Sequence, residues 1–158
     1  MDDTLVAVET YAEDATLVKD DTLLQAVSGR AEIWIERGHA SLSHARAACR
    51  FFAANFGWPS GAQEGLTLVV SELVTNACRY SSGPCRMNLE VSEGEAVVEV
   101  WDSDPCIPTL PAAFEDPSDE AAPACSGYGL GIVASLADSL DFLPQEIGGK
   151  IVRAVVLP

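Results

Sequence analysis

Glu72 and Asn76 stand four residues apart in the stretch Glu72-Leu73-Val74-Thr75-Asn76-Ala77, and residues at that spacing project from one face of a helix. The apolar positions around them, Leu66, Val69, Val70, Leu73, Val74 and Ala77, recur at the intervals of a helix half buried against a core. At about 100° per residue, the pair falls on the flank of that stripe, where a side chain is held by its helix yet reaches a cleft. A carboxylate polarises water, and an asparagine amide oxygen is a hard ligand suited to Mg²⁺, so together they suit a nucleotide site. The same spacing also describes a solvated glutamate and a polar asparagine on a surface helix, and the other motifs have to decide between the two.

A second feature is Ser126-Gly127-Tyr128-Gly129-Leu130-Gly131-Ile132-Val133, three alternate glycines opening an apolar helix. Glycine lets backbone N–H groups approach an anion, and a helix start adds partial positive charge, so the segment can cradle a phosphate. It can equally serve as a flexible hinge for the loop before it. The spacing and the Lys-Ser/Thr of a P-loop are missing, no βαβ unit supports a Rossmann site, and Gly149-Lys150 has no such context either. Between these features lies Val98-Glu99-Val100-Trp101-Asp102, a strand pattern ending on a carboxylate.

The elements that must position these residues follow from periodicity. Ala31 to Glu36 alternates as a half-buried strand does. Ser41 can cap a helix with apolar positions Leu42, Ala45, Cys49, Phe52 and Phe56, which Gly57 and Pro59 stop. The helix bearing Glu72 and Asn76 runs from about Ala62 to Tyr80. Cys85 to Val91 and Ala96 to Trp101 are strands joined at Ser92-Glu93-Gly94-Glu95. A long connection from Asp102 to Gly127, rich in proline, alanine and acids, has the length of a functional lid or a disordered insert. Leu130 to Leu140 reads as a helix, and the remainder as two strands turned at Gly148-Gly149. Residues 1–25 form an acidic, mobile extension with weak periodicity, and 26–158 form one domain with its lid at about 103–127.

Composition narrows the function. The formal charge is −15 over 158 residues. Asp2, Asp3, Glu9, Glu13, Asp14, Asp20 and Asp21 stand against only Lys19 within the first 21 residues, and Asp102, Asp104, Glu115, Asp116, Asp119 and Glu120 fall between residues 102 and 126, a stretch without a base. Such a chain is repelled by phosphate backbones and anionic lipid, which excludes nucleic acid and membrane as primary partners and favours a basic protein. No signal peptide or apolar run of spanning length is present, so a soluble, cytoplasmic protein is expected. Cys49, Cys78, Cys85, Cys106 and Cys125 are odd in number and scattered, with no C-x-x-C pair, and most read as reduced thiols.

In order along the chain, Glu72-x-x-x-Asn76, then Asp102 followed by Pro105 and Pro108, then Gly127-x-Gly129-x-Gly131, resemble the N, G1 and G2 boxes of the GHKL ATPase superfamily. More closely, the set resembles the anti-sigma-factor serine/threonine kinases and related small ATP-binding regulators of bacteria, over residues 31–157. The resemblance implies an α+β fold, a two-layer sandwich of the Bergerat type in which a mixed, mainly antiparallel sheet backs three helices. ATP would lie between the helices under the lid, with Mg²⁺ bound through the nucleotide. By the same resemblance Asn76 ligates Mg²⁺, Glu72 is the base toward an attacking hydroxyl or water, and Asp102 accepts the adenine amino group. Gly127, Gly129, Leu130 and Gly131 form the lid hinge and the phosphate-facing helix start. Arg79, three residues after Asn76, can approach a phosphate or pair with Glu72.

The sequence departs from that pattern in places. Asp102-Ser103-Asp104-Pro105 lacks the glycine common after the aspartate, and Tyr128 stands where these regulators often carry a base. The lid from Thr109 to Ser126 holds no Lys or Arg, and Ile151 stands where a threonine assists adenine binding. The resemblance implies a kinase that phosphorylates an anti-sigma antagonist and sequesters a sigma factor, with a homodimer possible. Two alternatives stay open: a non-catalytic module of the same fold that acts by association, and an ATPase that uses water as acceptor.

Overall fold

The computed structural model describes residues 8–9, 29–35, 39–108 and 128–158. Its elements are β1 (Val8–Glu9), β2 (Arg30–Ile35), α1 (His39–Asn55), α2 (Ser60–Tyr80), β3 (Cys85–Val91), β4 (Ala96–Asp102), α3 (Tyr128–Leu136), β5 (Ser139–Pro144) and β6 (Lys150–Val156). The strands form one sheet in the order β1-β2-β3-β4-β6-β5. Every pair in it is antiparallel, so the expected mixture with parallel pairing is not found among the described strands. The reason lies in β6, which folds back on β5 as a hairpin and inserts beside β4 antiparallel to both neighbours.

The alternation read from the sequence is the alternation of burial. Ala31, Ile33 and Ile35 of β2, Cys85, Met87, Leu89 and Val91 of β3, and Ala96, Val98 and Val100 of β4 are all buried on one face. Against this face α1 lays Ala45, Ala48, Cys49, Phe52 and Ala53, α2 lays Leu66, Val69, Val70, Leu73, Val74 and Ala77, and α3 adds Leu130 and Val133. Each large apolar side chain buried here is worth about 1.5–3 kcal/mol relative to exposure, which is what orders the helices on the sheet. The outcome is the two-layer α+β sandwich expected from the sequence. Two inward columns end on charge: β4 finishes at Asp102 and β6 begins at Lys150, and the register sets these two residues opposite each other.

Differences from the sequence reading are local. Helix α1 begins at His39, two residues ahead of the expected cap Ser41. It stops after Asn55, where Gly57 N–H returns to Ala54 O at 3.0 Å and Trp58 Nε1 anchors the turn on Ser92 O at 2.7 Å. Helix α2 begins at Ser60, earlier than the expected Ala62. Helix α3 ends at Leu136 rather than Leu140, because Asp138 N–H donates to Val155 O at 2.8 Å and draws the chain into β5. Cys49, Cys78 and Cys85 are not disulfide-bonded, whereas Cys106 is, a pairing that the cysteine spacing does not announce. Of the acidic extension, Val8–Glu9 pairs with β2; the rest of it and lid residues 109–127 lie outside the described residues.

Candidate functional site

Helix α2 carries the first half of the site. Its buried face, Leu66 to Ala77, fixes the helix on the sheet, and this leaves Glu72 and Asn76 half-buried on the flank. The two side chains converge on the start of α3. A Cβ built on Gly129 would collide with Oε2 of Glu72 and stand 3.6 Å from Nδ2 of Asn76. The α3 backbone at Gly129 therefore lies against the carboxylate and the carboxamide, and a side chain there would have to displace the Glu72 carboxylate. Nδ2 of Asn76 is buried and has no hydrogen-bond partner among the described residues. An orphaned buried amide costs on the order of 1–3 kcal/mol, and a ligand or an ordered water in the cleft beside Asn76 would satisfy it.

The second half lies at the end of the sheet. Asp102 is 2% exposed and Lys150 4%. Lys150 Nζ donates to Asp102 Oδ1 at 2.9 Å, to the Asp104 carbonyl at 2.9 Å and to Asp104 Oδ2 at 3.3 Å. The Asp104 N–H also donates to Asp102 Oδ1, at 2.9 Å. Burial pushes the Asp102 carboxyl above the ordinary carboxylate value, while the hydrogen bond and charge of Lys150 oppose that rise. Gly149, at φ +81°, makes the approach possible, since a Cβ there would run into the Asp102 carbonyl oxygen. Beyond Asp102 the chain is tied to the end of α2, where the Ser81 and Ser103 hydroxyls lie 2.8 Å apart.

A cleft joins the halves. Leu73, Asn76, Ala77 and Tyr80 line it from α2, Val100 and Asp102 from β4, Leu130 from α3, and Lys150 and Val152 from β6, with Asp104 and Pro108 from the start of the lid. The space it encloses is about 20 Å³, room for roughly one water.

The structure thus brings together Glu72, Asn76, Asp102, Gly129 and Leu130. Arg79 is exposed, does not line the cleft, and forms no ion pair with Glu72. Nothing lies within 4 Å of a Cβ at Gly131, so close packing does not demand glycine there. Gly127 lies outside the described residues. Ile151, at the place given to a threonine, sits in the outward register between Trp101 and Leu143 and does not line the cleft. Lys150 is the site residue that the sequence reading passed over. Its signal was there: in Lys150-Ile151-Val152-Arg153-Ala154-Val155-Val156 the lysine shares the inward register of Val152, Ala154 and Val156.

The architecture is a two-layer sandwich with its cleft between the helices and the sheet end, closed over by the start of α3. The sequence model of the histidine kinase-like ATPase domain matches residues 38–156, and the chain belongs to this family. No curated protein matches the chain. ATP binding is what membership of the family implies for the cleft. Among the described residues no helix is long and apolar enough to cross a membrane.

Proposed function

We propose that the protein is an ATP-binding regulator of the anti-sigma type, a serine/threonine protein kinase that phosphorylates a small antagonist protein and sequesters a sigma factor. The observation that carries this reading is the meeting of Glu72, Asn76 and Gly129 at the start of α3, beside a cleft that ends on Asp102. The residues fit a magnesium nucleotide: the Asn76 carboxamide makes no hydrogen bond among the described residues, its Nδ2 is buried, and an amide oxygen is a hard ligand. Asn76 would hold Mg²⁺, which when bound neutralises charge on the phosphates.

The other roles belong to the chain. Glu72, held by α2 with its carboxylate against the α3 backbone, accepts the proton of the partner hydroxyl. The first N–H groups of α3 face anionic charge with a partial positive end. Asp102 accepts a base amino group, and Leu73, Val100, Leu130 and Val152 give a ring apolar walls. The charge of −15 suits the basic segments of a protein partner.

A second reading is a module of the same fold that acts by association without turnover. It is favoured by the size of the cleft, about 20 Å³, and by the engagement of its one lining lysine with Asp102 and Asp104. Calorimetric titration of ATP with and without Mg²⁺ tests the site. Magnesium-dependent binding by the wild type that Asn76→Ala loses supports the nucleotide reading, and no binding at high concentration leaves a partner-binding module. Label passing from the γ-phosphate of ATP to a serine or threonine of a cellular protein fraction, with wild type but not with Glu72→Ala, supports the kinase. Label released only as free phosphate identifies water as the acceptor.

A further inference from the structure

The buried lysine is the feature of this cleft that the roles above leave unused. An ammonium has three donors, and Lys150 spends them on Asp102 Oδ1, the Asp104 carbonyl and Asp104 Oδ2. It has none left for a phosphate or a base. Asp102 Oδ1 in turn receives two donors, the ammonium and the Asp104 N–H. Oδ2 makes no hydrogen bond among the described residues, and Asp102 lines the cleft together with Leu73, Val100, Leu130 and Val152.

We infer that Lys150 is a positioning residue that fixes Asp102 as an ionised carboxylate with one open acceptor, and that it thereby restricts the cleft to nucleotides whose base carries an exocyclic amine. The inference rests on the nucleotide reading of the cleft. A base that fills the cleft takes solvent away from the Asp102 carboxylate, so one that brings an N–H to Oδ2 is favoured. A base that lacks a donor there, or brings a carbonyl oxygen, leaves the acceptor unpaired. Such a site rejects the analogue lacking the group far more strongly than an apolar pocket does. Without the ammonium the strongest influence opposing desolvation is gone, only the Asp104 N–H still favours the charged form, and the carboxyl is drawn toward its protonated form. Its hydroxyl can then donate to a ring nitrogen, and the demand for an amine disappears. The ionisable groups around Asp102 are Lys150, Asp104 and the Cys85 thiol.

The test compares ATP with purine riboside triphosphate, which differs only in lacking the 6-amino group, by calorimetry in Mg²⁺ on the full chain. A hydrogen bond to a charged group corresponds to a preference for ATP of about ten- to a hundredfold in the wild type. Lys150→Met is expected to bring the two affinities within about threefold, with near-ultraviolet circular dichroism confirming the fold. If Lys150→Met does not fold, Lys150→Gln, which keeps a donor but no charge, carries the same comparison. A preference for ATP that persists in the folded variant overturns the role of Lys150 and leaves the nucleotide reading standing. Binding of neither nucleotide by the wild type overturns both. An independent readout is the carboxyl ¹³C signal of Asp102 in the wild type at neutral pH, expected in the ionised position. A protonated signal there overturns the inference without any variant.

Discussion

Gly129 and Glu72 share a space that only one of them can fill: a methyl group on residue 129 would meet the Glu72 carboxylate. The clash is with the far end of a flexible side chain, so Gly129→Ala is expected to displace the carboxylate rather than the helix. Alanine also gains about 0.5–1 kcal/mol of helix propensity over glycine. We expect thermal stability unchanged within about 1 kcal/mol and phosphoryl transfer or ATP hydrolysis reduced at least about tenfold, as for a mispositioned base. Equal loss of stability and activity would show that Gly129 serves packing alone.

Gly131, two residues on, is the matched control. A Cβ there has no neighbour within 4 Å, so Gly131→Ala is expected to stabilise α3 by about 0.5–1 kcal/mol with nucleotide affinity unaltered. Chemical unfolding beside calorimetry on the same sample checks both. A loss of affinity would mean that position 131 touches the nucleotide when it is bound.

Asn76→Ala separates stability from function in another way. The substitution removes a buried amide nitrogen that has no partner among the described residues, which offsets the small cavity it leaves. We expect no fall in melting temperature together with loss of magnesium-dependent ATP binding. A large destabilisation would mean that the carboxamide is held by partners and belongs to the core.

How far the sequence could be read follows from which forces are local. The flank position of Glu72 and Asn76 was legible because a 3.6-residue period fixes faces without reference to the rest of the chain. Strands β3 and β4 were legible for the same reason, through their two-residue alternation. The Asp102–Lys150 pair was not, because its partners are 48 residues apart and meet only through the β4–β6 register. Ile151 was misplaced by the same distance problem: a shift of one residue in a strand exchanges the faces, and it is Lys150 and Val152 that turn to the cleft. The end of α3 escaped because the bond from Asp138 N–H to Val155 O is tertiary. At Arg79 spacing allowed a pairing with Glu72 that the exposed end of α2 does not make.

Two thiols are expected to be inert. Burial pushes Cys49 and Cys85 up to about 12, with Cys78 and Asp102 adding to the rise at Cys85, so neither carries appreciable thiolate at mildly alkaline pH. Alkylation of the native protein at pH about 8, followed by peptide mass spectrometry, should leave both unmodified, and the same treatment in denaturant should modify both. Rapid native labelling of Cys85 would show that the sheet end beside Asp102 opens readily.

Asp102 also predicts a pH dependence of stability whose sign follows from its raised value. In the unfolded chain its carboxyl titrates near the ordinary 3.8, and in the folded protein it titrates higher, chiefly through burial. Between these two values the folded state binds the extra proton, so the Asp102 contribution to stability is fully present below the lower value and is lost as pH rises through the higher one. The check is urea unfolding of wild type and Asp102→Asn across the acid range. The wild-type stability minus that of the variant is expected to be flat at the acid end, to fall as pH rises above about 3.8, and to level off once Asp102 is ionised in both states. A difference that rises over this window would mean that Lys150 outweighs burial and holds the carboxyl below its ordinary value.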